Sequence, residues 1–276
     1  MFETLVLVIK GGIIGVANII PGVSGGTLAV ILGIYDRLIE CIARFFERGS
    51  DKKGYLAFIA KVFAGAAVSI LLLANLMDYL LTSHYHLTMF AFMGLILGGI
   101  PAVIRQHGDM RIATSRLLSF AVGAVVVLGI ALVNPDKASG PGAAALPSGA
   151  EEYLLLFVGG FLAGGAMIVP GVSGSFMLVV LGQYGVIISA IKQMAVTPLG
   201  FVALGAASGI LAFSRIIEFC LKKAPANTYY FILGLIAASF YEIFPGLPKE
   251  SMALAGCLAA FAAGGVLSLG LSRAKA

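Results

Sequence analysis

The residues best placed to do chemistry in this 276-residue chain are small and uncharged. They are Gly22, Ser24, Gly25, Gly26 and Thr27 in "NIIPGVSGGTLAVILGIYDRL", and Gly171, Ser173, Gly174 and Ser175 in "MIVPGVSGSFMLVVLGQYGVI". A proline lacks an N–H and disfavours helix at the residue before it, so the first helix should stop near Ile20 and a second start behind Ser24 as its N-cap. A helix start presents unpaired backbone N–H groups with partial positive charge, and glycine keeps no side chain in a ligand's way. Six or so donors from two such breaks would bind an anion. In hydrocarbon those groups cannot stay bare, so a break at membrane depth must line a water-filled cavity or face a ligand. Two other readings stand beside this one. The breaks are kinks that let helices pack closely, or they hold a cation on the carbonyls of Ile19 and Ile20. No acidic residue is expected near either break to hold a cation, which favours the anion.

The elements that carry these breaks belong in a membrane. The composition is 60% hydrophobic and 11% charged with mean hydropathy +1.03, too apolar for the surface of a soluble domain. A net charge of +5 and pI near 9.1 would suit nucleic acid in a soluble protein; here topology explains it. Spanning helices are predicted at 55–81, 87–104, 116–133, 198–221, 227–244 and 251–271, each near the 20 apolar residues that hydrocarbon requires. Apolar stretches 4–45 and 152–192 carry the breaks, each long enough for two short helices about a turn. Glu3 and Lys10 near the start, with no small-residue cleavage site, speak against a removable signal peptide.

Shifted by 149 residues, Gly15–Ile42 aligns with Gly164–Ile191, and 14 of these 28 positions are identical. An offset of 140 extends the likeness through "GAAVSIL" and "GAASGIL", Asp78 and Glu218, and "GLI" at Gly94 and Gly234. The expected fold is thus an all-α integral membrane protein of two repeats, residues 1–133 and 153–276, joined by a Pro/Gly/Ala-rich periplasmic or extracellular linker at 134–152. Each repeat is a broken, re-entrant-like helical hairpin plus three transmembrane helices. Three crossings are an odd number, so the second repeat inserts upside down, as in many secondary transporters. The basic residues agree: eleven of eighteen (Arg44, Arg48, Lys52, Lys53, Arg105, Arg111, Arg116, Lys222, Lys223, Arg273, Lys275) fall on the side of the N-terminus, and three (Lys137, Lys192, Lys249) on the other. Both termini are therefore expected to be cytoplasmic.

Four basic residues, Lys10, Arg37, Lys61 and Arg215, fall within apolar segments. Arg37 is a first contact for an anion or the partner of Asp36 or Glu40. Arg215 contacts the ligand, or pairs at i,i+3 with Glu218, or does both. Lys61 snorkels. Asp78 and Glu218 are candidates for proton or charge coupling, as is Glu242; interface solvation is the plainer role for the first two. Cys41, Cys220 and Cys257 match no disulfide framework or zinc spacing, and His84, His86 and His107 fall in expected loops. No metal and no cofactor is expected.

The motif pair resembles a family of bacterial polyprenyl-phosphate transporters, long catalogued as a domain of unknown function, and the likeness runs from Leu5 to Leu271. What the resemblance implies is a flippase of the cytoplasmic membrane. It returns undecaprenyl phosphate, the lipid carrier of cell-wall sugars, from the outer to the inner leaflet. The expected partners are that lipid and the bilayer, with no nucleic acid. The chain departs from its own repeat where Gly26 and Thr27 become Ser175 and Phe176. Two alternatives remain. One is a membrane lipid diphosphate phosphatase, whose Pro-Gly-x-Ser-Arg run looks similar, although Gly25 and Gly174 stand where its arginine would be and no Glu lies within a helical turn of either break. The other is a transporter of a small soluble anion.

Overall fold

The computed structural model describes residues 2–20, 22–106, 109–133, 145–248 and 250–273. Pro21, His107, Lys137, Lys249, Lys275 and linker residues 134–144 lie outside them. Among the described residues run α1 (Phe2–Ile19), α2 (Gly25–Ile31), α3 (Tyr35–Ala43), α4 (Lys52–Ser83), α5 (Tyr85–Gln106), α6 (Thr114–Val133), α7 (Ala150–Ile168), α8 (Gly174–Val180), α9 (Tyr184–Lys192), α10 (Val196–Lys223), α11 (Pro225–Ile243) and α12 (Ser251–Arg273), with no strand. An all-helical chain follows from the solvent, because a backbone in hydrocarbon must satisfy its own hydrogen bonds and a helix does so within one segment.

Among the described residues six helices, α4, α5, α6, α7, α10 and α12, are long and apolar enough to cross a membrane. Their outward faces are apolar, with Leu71 81% and Leu72 73% exposed; lipid accepts such a surface and water does not. Five of these helices match expected spans. The sixth expected span, 227–244, forms α11, which is not among the six. It carries Asn227, Thr228, Tyr229, Tyr230 and Glu242 and is wrapped by protein, with Ile232, Leu235 and Ile236 buried. Conversely α7, expected as one arm of a hairpin, is itself long enough to span. It begins at Ala150, inside the expected linker, with Glu152 accepting the N–H of Gly149 at 3.3 Å. The expected loop at the histidines shrinks to His84 alone, and His86 lies in the first turn of α5.

Four helix pairs pack backbone to backbone, α1 on α4, α7 on α10, α5 on α12 and α6 on α11. A β-carbon on Gly11 would lie 2.1 Å from the Val62 carbonyl oxygen, one on Gly205 2.1 Å from that of Phe157, one on Gly94 1.9 Å from that of Phe261, and one on Gly234 2.0 Å from that of Phe120. Small residues at these crossings give the close approach on which helix association in lipid depends. Between α5 and α6, Arg116 donates to Asp109 Oδ2 at 2.7 Å and holds that carboxyl below the usual carboxylate range.

The broken segments differ from the two short helices predicted. Each is one long helix, α1 or α7, followed by two short ones, α2 and α3 or α8 and α9. The extra break falls at Gly33 and Gly182, which hold φ of +69° and +68°, and it bends α8 against α9 by 108°. The core gathers around the first return arm: Leu28, Ile31, Tyr35 and Ile39 are all buried, alongside Ile96 of α5 and Ile236 of α11.

Candidate functional site

Gly22 and Gly171 both hold φ of +81°, a backbone state that only glycine adopts without strain. Each lies in the turn that follows its long helix. The turns close with Val23 N–H donating to Ile20 O at 3.2 Å and Val172 N–H to Val169 O at 3.4 Å. Ser24 and Ser173 then take the extended N-cap conformation, yet neither hydroxyl caps its helix. Ser24 Oγ instead donates across to Val169 O at 3.5 Å, and the Ser173 and Ser175 hydroxyls lie 2.9 Å apart. The expected side-chain cap is therefore absent, because the opposing break supplies a carbonyl for Ser24 and the neighbouring hydroxyl engages Ser173.

The two breaks touch. Gly171 N–H donates to Thr27 Oγ1 at 2.8 Å, and Tyr35 OH donates to Ile168 O at 3.0 Å, both bonds buried. A β-carbon on Gly26 would stand 3.2 Å from Ile168 O, so this glycine admits the opposing backbone. Exposure is unequal. Every residue of α2 is buried, with Ser24 and Thr27, whereas in α8 only Gly174 is buried and Ser175 is exposed.

Two residues join the site that sequence reasoning did not assign to it. Asn18 is exposed and sits against Gly25, whose β-carbon would fall 2.5 Å from Asn18 Oδ1. Its repeat counterpart Met167 lies against Gly174 in the same way; the mismatch of an amide with a thioether at aligned positions was the available signal. Glu242, at the end of α11, is the second. Its Cγ and Oε1 lie 3.6 Å from the place of a β-carbon on Gly22. The expectation that no acidic residue stands near either break is thus corrected: 220 positions separate the two along the chain, and the fold brings them together.

The charged candidates gather around α3 instead. Arg37 pairs with Glu40 at 2.8 Å and lies over the Tyr55 ring at 5.3 Å, while Asp36 accepts from Tyr229 OH at 2.7 Å. Glu218 is engaged by Arg44, the residue that follows α3, and by Lys222. Arg215, expected as a ligand contact, as a partner of Glu218 or as both, donates to Ala43 O at 3.5 Å. The turn that ends α3 brings Arg44 to Glu218 and the Ala43 carbonyl to Arg215 of α10. Asp78 is exposed near the end of α4, and Lys10 is buried in α1. The aligned second arm α9 carries Gly185, Val186 and Ser189 in place of Asp36, Arg37 and Glu40, so it has no side chains for the same ties.

A family profile described as undecaprenyl phosphate translocase-like matches residues 14–255. The polyprenyl-phosphate transporter of Staphylococcus aureus is 33% identical over 279 aligned residues, covering 98% of this chain and 96% of its own. That of Vibrio cholerae serotype O1 is 32% identical over 248 residues, covering 86% of this chain and 76% of its own. No solved structure matches. With its paired motifs inside the matched region and its apolar helices in the arrangement described, this multi-pass membrane protein belongs to the undecaprenyl phosphate translocase-like family.

Proposed function

We propose that the protein returns undecaprenyl phosphate from the outer to the inner leaflet of the bacterial cytoplasmic membrane, holding the phosphate where the two motifs meet and leaving its bonds intact. Both termini are cytoplasmic in this reading. A phosphate head does not cross about 30 Å of hydrocarbon unaided, whereas the polyprenyl tail stays in lipid throughout. Only the head needs a path.

The observation that carries the reading is the bond between the motifs, Gly171 N–H to Thr27 Oγ1 at 2.8 Å. It joins the two elements that an alternating-access device must move against each other. Thr27 and Gly171 spend their polar groups on one another, so the donors nearest to hand for a phosphate are the Ser173 and Ser175 hydroxyls, the Asn18 amide and the glycine N–H groups at Gly22, Gly25, Gly26 and Gly174. Seven-residue helices add little dipole; the amides and hydroxyls carry the recognition. The exchange of partners, α5 with α12 and α11 with α6, supports a two-fold relation between the repeats, which the inverted arrangement requires. Arg215, exposed and joined by a long bond to Ala43 O, is the cationic contact at the cytoplasmic mouth. Arg37 serves that mouth from its pair with Glu40. Of the acidic residues, Glu242 beside Gly22 is best placed to carry a proton with the head.

The test is the leaflet distribution of undecaprenyl phosphate in cells lacking the protein. Loss should raise the outer-leaflet pool, wild type should restore it, and Ser175→Ala and Arg215→Ala should restore it only partly. No outward accumulation on loss ends the proposal. Phosphate released from the lipid diphosphate by purified protein, and abolished by Ser24→Ala, would install the phosphatase instead. Competition by inorganic phosphate as strong as by a short-chain polyprenyl phosphate would install the soluble-anion transporter.

A further inference from the structure

Between α6, α10 and α11 lies a groove of about 680 Å³, lined on its long walls by Leu118, Val122, Phe213, Ile216, Phe231 and Leu235. Its inner end stops against Val169, Pro170 and Tyr35, behind the contact of the two motifs. Its outer end carries Lys223 and Asn227, which the proposed orientation puts at the cytoplasmic surface.

The polarity of the groove gives it a direction. At the inner end, proline has no N–H, Val169 N–H is bonded to Gly165 O at 3.2 Å, and Tyr35 OH donates to Ile168 O at 3.0 Å. Among these lining residues, the Val169 N–H and the Tyr35 hydroxyl are thus already engaged within the protein. At the outer end Lys223 is exposed, its ammonium 5.3 Å from the centre of the Phe219 ring, with Asn227 beside it on the next helix. The matching ligand is apolar along most of its length and anionic at one end. The volume falls within the usual range for a site that encloses one small ligand, which suits the leading part of a single branched chain. Three phenylalanines, Phe213, Phe219 and Phe231, face that chain.

From this we infer that the groove is a second station for the lipid, seating a polyprenyl phosphate with its phosphate at Lys223 and Asn227 and its first isoprene units along α10 and α11. The inference rests on the proposed substrate and orientation. It adds a place where the cargo waits in the inner leaflet, against the back of the Tyr35 to Ile168 bond, after the head has left the motifs. A two-chained phospholipid is the competing occupant, and the test separates them.

The chain contains no tryptophan, so Phe219→Trp places a single reporter at the exposed outer end and keeps an aromatic face under Lys223. In nanodiscs this variant is titrated with a polyprenyl phosphate nitroxide-labelled on its first isoprene units. The same series uses labelled polyprenol and labelled phosphatidylglycerol. Retention of radiolabelled polyprenyl phosphate on the same protein is measured in parallel, and Leu118→Trp on the facing helix repeats the titration. We expect quenching by the polyprenyl phosphate at a mole fraction at least tenfold lower than by either control. Adding Lys223→Gln should raise that mole fraction about tenfold, the loss of one charge-assisted contact. Retention without quenching of either reporter overturns the groove and leaves the transport proposal standing; absence of retention overturns the proposed substrate itself. Equal quenching by phosphatidylglycerol makes the groove an ordinary lipid seat and overturns the inference.

Discussion

The amide of Gly171 donates to the hydroxyl oxygen of Thr27 at 2.8 Å, a buried bond across 144 positions of sequence. It ties the second motif to the first return helix, and the repeat cannot make it twice, because Phe176 stands where Thr27 does in the first copy. The junction is therefore asymmetric by composition as well as by packing.

Thr27→Val keeps the shape and removes the acceptor. The Gly171 N–H is then buried without a partner, a loss of about 1–3 kcal/mol. Purified Thr27→Val should melt several degrees below wild type, and Thr27→Ser should recover most of the difference. Equal melting of all three proteins would show that the bond carries no weight.

Gly22→Ala and Gly171→Ala should part company. Both force alanine into φ of +81°, a strain of about 1–2 kcal/mol. At Gly171 the new β-carbon also meets the Leu235 carbonyl oxygen at 2.6 Å, while at Gly22 the nearest atoms stand 3.6 Å away. Gly22→Ala should yield folded protein with lowered stability, and Gly171→Ala little folded protein. Size-exclusion profiles after detergent extraction read the contrast, and a reversed order contradicts the packing.

Glu218→Gln should loosen α3. The carboxylate holds Arg44 and Lys222 together, and a partly buried pair of this kind contributes on the order of 1 kcal/mol. Cys41 on α3 is buried at 0% exposure, so in a background with Cys220→Ser and Cys257→Ser its labelling by a thiol reagent reports release of the helix. The variant should label about fivefold faster than its parent. Unchanged labelling would mean that α3 is held by its apolar contacts alone.

Glu242→Gln tests the carboxyl beside Gly22. If the head travels with a proton on Glu242, transport in proteoliposomes depends on pH through that carboxyl. Glutamine stays neutral at every pH, so the variant should give a flat profile. Retention of the wild-type pH dependence in the variant removes Glu242 from the coupling.

The sequence by itself determined where five of the spanning helices lie and that its two broken motifs are paired. Hydrocarbon selects apolar runs of fixed length residue by residue, so five expected spans appear as apolar membrane helices, and identity at an offset of 149 exposes the paired motifs without a fold. The breaks were legible too, because proline and glycine act on their own backbone. What only the tertiary structure decided was who meets whom. Glu242 reaches Gly22, Arg44 displaces Arg215 at Glu218, Ser24 bonds to Val169 rather than capping α2, and α11 becomes an interior helix despite its polar residues. Each of these joins positions far apart in the chain through the packing of whole helices, and such packing is set by which glycines let which backbones approach, a property that no local run of residues contains.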